Sequence, residues 1–380
     1  MVDWCGEIDQ LTKRVLVLGG RGHVGQGVVA DLLTHTEAEM TITGRTAASG
    51  QELQNYPDDR VQFLVLELAD QEGLRQAIAA HDLVIHCAGP FRYRDANALK
   101  TCIEHRVNYI DVSDDRAFTK TALQSREAAQ QAGVTAMINT GVFPGISNSL
   151  ARQGVEQLDQ VQEIHLSYAV GGSGGAGPAV LQTTFLTIQH PFPVWVNGQW
   201  QTVKPYTDRE VVQFPAPFGK TGVYWFDMPE SFTLVESFPV QTVAVKFGTI
   251  PDLYNHLTWM MANGLPAPIL QHPQMIQFLS TISRAMTSVT DRFSGTGVAL
   301  RADLTGQKDG KPTHYWATFT YPSAALATGL GAGLMAQFIL SGHLSKPGVW
   351  PVEQALPTKL FAQAMTSRGI EVNYELKIMN

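Results

Sequence analysis

Charge is scarce in this chain of 380 residues: Asp, Glu, Lys and Arg make up 16 % of it, and the net charge is −7. No basic stripe exists to neutralise phosphates, so nucleic acid is excluded as a partner. Cysteine is scarcer still. Cys5, Cys87 and Cys102 are too few and too far apart for a disulfide framework or a zinc site, and are expected as thiols, Cys87 buried in a strand. The eleven histidines are dispersed without HExxH spacing, so no metal is expected. The first residues carry Asp3, Glu7 and Asp9 and lack an apolar leader segment, which points to the cytoplasm or another reducing compartment. One uncharged stretch, Ser323 to Leu344, approaches the length of a membrane span. Its Gly, Ala, Ser, Thr and Gln content instead predicts a buried or interface helix packed through small residues, and membrane contact is not expected.

What the chain does have begins at Lys13. The apolar run Val15-Leu16-Val17-Leu18 is followed by Gly20-Arg21-Gly22-His23-Val24-Gly25 and then by Val28-Val29-Ala30-Asp31-Leu32-Leu33 at helical spacing. Strand, Gly-x-Gly-x-x-Gly turn and helix in that order form a dinucleotide-binding unit: the glycines allow the tight turn, the approach of backbone to pyrophosphate and close helix packing. A second strand ends at Thr43-Gly44-Arg45, about 20 residues past the last glycine, where an NAD site usually places an acid. Arg45 suits a 2′-phosphate instead, so NADP(H) is the expected cofactor.

Further strand patterns at Val61–Leu66, Asp82–Pro90, Asn108–Val112 and Thr135–Asn139 alternate with helical ones and predict a doubly wound parallel sheet over residues 1–146. Ligands on such sheets bind beyond the carboxyl ends of the strands. Asp70, Ala88, Gly89 and Pro90 therefore join Gly20, Arg21, Gly22, His23, Val24, Gly25 and Arg45 as expected cofactor-binding residues. After residue 146 the pattern shifts to aromatic-rich strands such as Phe192–Trp200, whose Asn197-Gly198 is a hairpin turn, and to a helical stretch over 252–290. Residues 147–348 are expected to form an α+β, mainly antiparallel domain for substrate recognition and dimerisation. Residues 349–380 are expected to pack back on the first domain through an amphipathic helix near Pro357–Arg368.

Gly19 to Gly25, Thr43-Gly44-Arg45, Ala88-Gly89-Pro90-Phe91, Tyr109 to Ser113 and Gly141-Val142-Phe143-Pro144-Gly145 together resemble the saccharopine dehydrogenase-like NADP-binding superfamily. The likeness continues loosely into Met228-Pro229-Glu230 and into Gly342 to Glu353. The resemblance implies a Rossmann domain carrying NADP(H), a second α/β domain, and hydride transfer between them to an imine, carbonyl or enoyl group. Where amino-acid-processing members often have Gly-x-Asp-Pro-Gly, this chain has Phe143 in place of the acid, which argues against saccharopine as substrate.

Hydride transfer needs one proton donor beside the acceptor. Tyr93, Asp111 and Tyr224 are the candidate catalytic residues, with Asp114 and His190 behind them. Gly171-Gly172-Ser173-Gly174-Gly175 matches GxSxG, but the parallel sheet precedes it, so a serine hydrolase is not expected; a loop holding a substrate carboxylate, or a plain loop, remain open. If the aromatics Phe192, Trp195, Trp200, Phe214, Phe218, Tyr224, Trp225 and Phe226 line the cleft, the small-molecule substrate is bulky and apolar; as core or interface residues they leave a homodimer open. An oxidoreductase and a non-catalytic NADP(H)-binding sensor or scaffold with a protein or membrane partner are the two classes this sequence allows.

Overall fold

The computed structural model describes residues 12–46, 58–175, 178–270, 272–294 and 296–379. Cys5 and the acidic N-terminal residues lie outside them.

Seven parallel strands form the first sheet. Along the chain they are β1 (Arg14–Leu18), β2 (Glu39–Gly44), β3 (Val61–Val65), β4 (Leu83–His86), β5 (Asn108–Asp111), β6 (Thr135–Ile138) and, much later, β15 (Gly348–Pro351). Their order in space is β15-β6-β5-β4-β1-β2-β3. The apolar run of β1 is buried on both faces, as a central parallel strand requires. Val15 and Val17 pack with the helices His23–His35 and Ala324–Leu340, while Leu16 and Leu18 face Gln71–Ala79 and Asn97–His105 on the opposite side.

The second sheet has nine strands: β7 (Gln160–Gly171), β8 (Phe192–Val196), β9 (Gln199–Val203), β10 (Glu210–Gln213), β11 (Lys220–Trp225), β12 (Thr242–Ile250), β13 (Gly297–Lys308), β14 (Lys311–Tyr321) and β16 (Asn373–Ile378). Its main path runs β10-β11-β12-β7-β13-β14-β16. The expected antiparallel character holds except at the centre, where β7 and β12 pair in parallel from Glu163↔Thr242 to Gly171↔Ile250. Asn197 and Gly198 both adopt positive φ, as a two-residue hairpin turn between β8 and β9 demands. Over the end of this sheet lie the helices Leu253–Gly264 and Pro273–Ser294, filling the stretch expected to be helical.

The uncharged stretch becomes the buried helix Ala324–Leu340, capped by Ser323, and no helix among the described residues is long and apolar enough to cross a membrane. It lies backbone to backbone on His23–His35. A Cβ on Gly329 would stand 2.5 Å from the carbonyl carbon of Gly27, so only glycine allows this approach. The C-terminal segment divides, where a single return to the first sheet was expected. Strand β15 joins the first sheet and Arg368 pairs with buried Asp31 at 2.6 Å, but β16 crosses to the second sheet and pairs with β14. The sequence pattern carries no signal for that last pairing, because β16 is an exposed edge strand.

Candidate functional site

The turn after β1 is built for an anion. A Cβ on Gly25 would meet the Cα of Gly20 at 2.5 Å, so helix and turn close only around glycine. No side chain caps the helix at Gly22, which leaves its positive end facing the cleft. Gly22, His23 and Val24 form one wall of a cavity of about 220 Å³, with Gly89, Pro90 and Phe91 beyond β4 as another. These features fit a pyrophosphate crossing the sheet at its switch point.

Arginines gather at the end of β2. Arg45 is exposed there; Arg21 reaches the Thr46 carbonyl at 2.9 Å and lies over the Phe63 ring. Arg94, which the sequence reading missed, donates to the Ala88 carbonyl at 2.7 Å, and burial together with the Arg45 charge lowers its pKa. Such a cluster fits a 2′-phosphate. Asp70 is occupied elsewhere: its carboxylate caps the helix Gln71–Ala79 by accepting from the Gly73 amide at 3.0 Å.

Beyond the cofactor cleft lies a second, larger cavity of about 420 Å³ between the second sheet and the helices Leu253–Gly264 and Pro273–Ser294. The two cavities share Asp114, Phe143, Thr183 and Ala324. Among the described residues, Asp114 is the one charged residue lining the larger cavity. Its carboxyl pKa is pushed up to about 7; burial is the main cause, with its own amide N–H opposing and the Asp115 charge adding. On its far side a small polar pocket holds the pairs Arg116–Asp227 (2.6 Å) and Arg92–Asp115 (3.6 Å), together with His190. Asp114 therefore stands where the cofactor cleft, the apolar chamber and a polar route to the surface meet.

The three first-choice catalytic residues are not brought together. Tyr93 is exposed on the turn after β4 and lines a separate hollow with His86 and Arg94. Tyr224 is buried in β11 with its ring stacked on Tyr206 at 4.7 Å. Asp111 is fully buried, and its Oδ1 accepts from the amides of Ser113 and Asn139, both at 3.0 Å. Burial raises its pKa to about 6. That carboxyl ties two strand ends together and so fixes the turn carrying Asp114.

Phe143 forms the wall between the cavities, stacked on Tyr168 at 4.4 Å. The Tyr168 hydroxyl donates to buried Glu230, which also accepts from Ser147 at 2.9 Å; Asn148 donates to Glu353 at 2.7 Å. The late segments around Met228-Pro229-Glu230 and Pro351-Val352-Glu353 thus converge on the start of the helix Ile146–Val155, directly behind the Phe143 loop. The Gly171–Gly175 loop does not hold out its donors to a ligand: the amide and hydroxyl of Ser173 both donate to Asp291, at 2.8 and 2.6 Å. Of the eight clustered aromatics only Phe226 lines the chamber; most of the others fill cores, with Trp200 exposed. The chamber's apolar surface comes instead from Phe185, Phe247 and residues of the covering helices such as Met261, Leu279 and Met286. The signal was there as a long run, rich in Met, Leu and Ile, whose one charged side chain is Arg284.

Residues 15–137 match the model of the saccharopine dehydrogenase NADP binding domain. Over this N-terminal part the chain resembles the saccharopine dehydrogenase-like NADP-binding superfamily. It is 25 % identical to a carboxynorspermidine synthase of Vibrio cholerae, over 91 % of this chain and 94 % of the relative. Its fold is similar to that of apo saccharopine dehydrogenase (L-Glu forming) from Saccharomyces cerevisiae, with a TM-score of 0.69 at 15 % identity, covering 96 % of this chain and 100 % of the other. A homospermidine synthase from Legionella pneumophila in complex with NAD gives a TM-score of 0.66 at 12 % identity, covering 97 % and 92 %. The chain is an NADP-dependent oxidoreductase.

Proposed function

We propose that this oxidoreductase reduces the C=N bond of an imine whose body is bulky and apolar and occupies the 420 Å³ chamber. The observation that carries the reading is the junction: the apolar chamber and the cofactor cleft share Asp114, Phe143, Thr183 and Ala324. Bound NADPH supplies hydride to the imine carbon, and the nitrogen takes a proton to give a secondary amine. Carboxynorspermidine, homospermidine and saccharopine, in the names of the relatives, are themselves secondary amines.

The chain's own residues have three tasks. Asp114, with its pKa near 7, holds the proton at the meeting point of the cavities. Phe143 and Phe247 shield that point from water, and the polar pocket with Arg116, Asp227 and His190 leads a replacement proton to Asp114. Arg21 and Arg45 hold the 2′-phosphate, and the turn Gly20 to Gly25 holds the pyrophosphate.

The chamber separates this substrate from those of the named relatives. A polyamine or diacid seated there would leave charges buried without partners, since Asp114 is the one charged residue among the described residues that line it. The test is NADPH oxidation with apolar aldehydes and amines supplied together, the product identified by mass. A secondary amine formed in step with NADPH consumption supports the reading. Turnover confined to acceptors bearing a carboxylate or ammonium would overturn it.

A further inference from the structure

On the helices that cover the chamber, part of the outward face is apolar. On Pro273–Ser294, Phe278, Ile282, Ala285 and Val289 follow one another at spacings of four, three and four, which lines them along one face. Phe278 and Val289 are 57 % and 60 % exposed. On the neighbouring helix Leu253, Trp259 and Met260 are exposed as well. From Leu253 to Thr290 the sequence contains a single charged side chain, Arg284.

Three residues belong to both surfaces, Met260, Ile282 and, just past the first helix, Leu265 at 36 % exposure. Met260 is 59 % and Ile282 40 % exposed, yet all three line the chamber. The chamber therefore opens through the middle of the apolar face, and its mouth is rimmed by apolar side chains. Contiguous exposed apolar surface of this kind marks a partner or membrane site. A second copy of the chain seated here would cap the mouth, whereas a lipid surface would leave it facing the phase in which an apolar substrate dissolves. The near absence of cations on the patch and the net charge of −7 give no attraction for anionic headgroups, so hydrophobic burial of Trp259 and its neighbours is the binding force.

We propose that this face docks on the surface of a zwitterionic bilayer, and that a lipid-soluble substrate reaches the chamber from the acyl region between Met260 and Ile282. The substrate half of this inference rests on reading the chamber as the imine site. The experiment is flotation of the full chain with phosphatidylcholine vesicles at about 0.1 M and about 0.5 M salt, for the wild type, Phe278→Ser and the triple variant Trp259→Ser, Phe278→Ser, Val289→Ser, with NADPH affinity and oligomeric state measured on each. The wild type is expected to float equally at both salts, and the triple variant at least about tenfold less while binding NADPH with unchanged affinity. Wild type that binds NADPH but does not float overturns the docking, as does flotation abolished by salt. A wild-type dimer that the triple variant dissolves would overturn it in favour of a second copy. Floating protein that reduces only charged acceptors would overturn the chamber reading while the docking stands.

Discussion

Replacing Asp114 by Asn keeps the size and shape of the side chain at the junction of the cavities and removes its titrating proton. General acid catalysis by a positioned group is worth about 10² to 10⁴ in rate, or roughly 3–5 kcal/mol of barrier. Asp114→Asn should therefore lower kcat/KM for imine reduction by about that factor, with NADPH affinity within about twofold of wild type because the cofactor is held by other residues. The pH dependence is the sharper readout. With the carboxyl pKa near 7, the wild-type rate of reduction should be level below pH 7 and fall about tenfold per unit above it, as the proton is lost. In the variant that fall should vanish. Steady-state NADPH oxidation between pH 5.5 and 9 gives both quantities, at the bracket of about 1.5 units either side of the pKa that such a profile needs. An Asn variant retaining a third of the activity with the wild-type pH slope would refute the assignment.

Three further outcomes follow from the same structure. Arg45→Asp should weaken NADPH binding by about 1–3 kcal/mol and leave NADH little changed, measured by calorimetry; equal loss for both would separate Arg45 from the 2′-phosphate. Gly329→Ala should push the helix Ala324–Leu340 off His23–His35 and destabilise by about 1–3 kcal/mol in thermal unfolding, while an unchanged Tm would contradict the contact. Burial raises the Glu230 pKa from 4.5 to about 7, so its contribution is fully present below pH 4.5 and is lost as pH rises through 7; this is worth about 3 kcal/mol. Glu230→Gln should remove that part of the fall in stability between pH 5 and 8, and denaturant titrations showing the same fall in wild type and variant would count against the buried acid.

The first sheet was readable because each of its early strands is a short apolar run bounded by turn residues, and the glycine turn has one physical reason to exist. Strand β15 was not, since Gly348-Val349-Trp350-Pro351 comes far along the chain from the other six strands and gains its place only from the edge that β6 offers. The glycine turn was picked out by its spacing, and the structure sets Gly22 and His23 against Gly89 and Pro90 in one cavity. The choice between two candidate acids could not be read from spacing: Asp111 and Asp114 stand three apart in one acidic segment, and only the structure shows the first spending its oxygen on two amides while the second faces the cavities. The aromatic cluster drew attention to the wrong lining, because ring size predicts core filling as readily as a pocket, whereas the run from Leu253 to Thr290 has a single charged side chain, Arg284, too few to mark which face was inner.

The central claim, that an apolar chamber feeds the hydride-transfer site, is tested most directly by kcat/KM for a homologous series of imines lengthened one methylene at a time. Each buried methylene is worth about 0.8 kcal/mol, so kcat/KM should rise about fourfold per carbon until the chamber is full and then level off. A flat series, or a preference for the same chain ending in a carboxylate, would contradict the account.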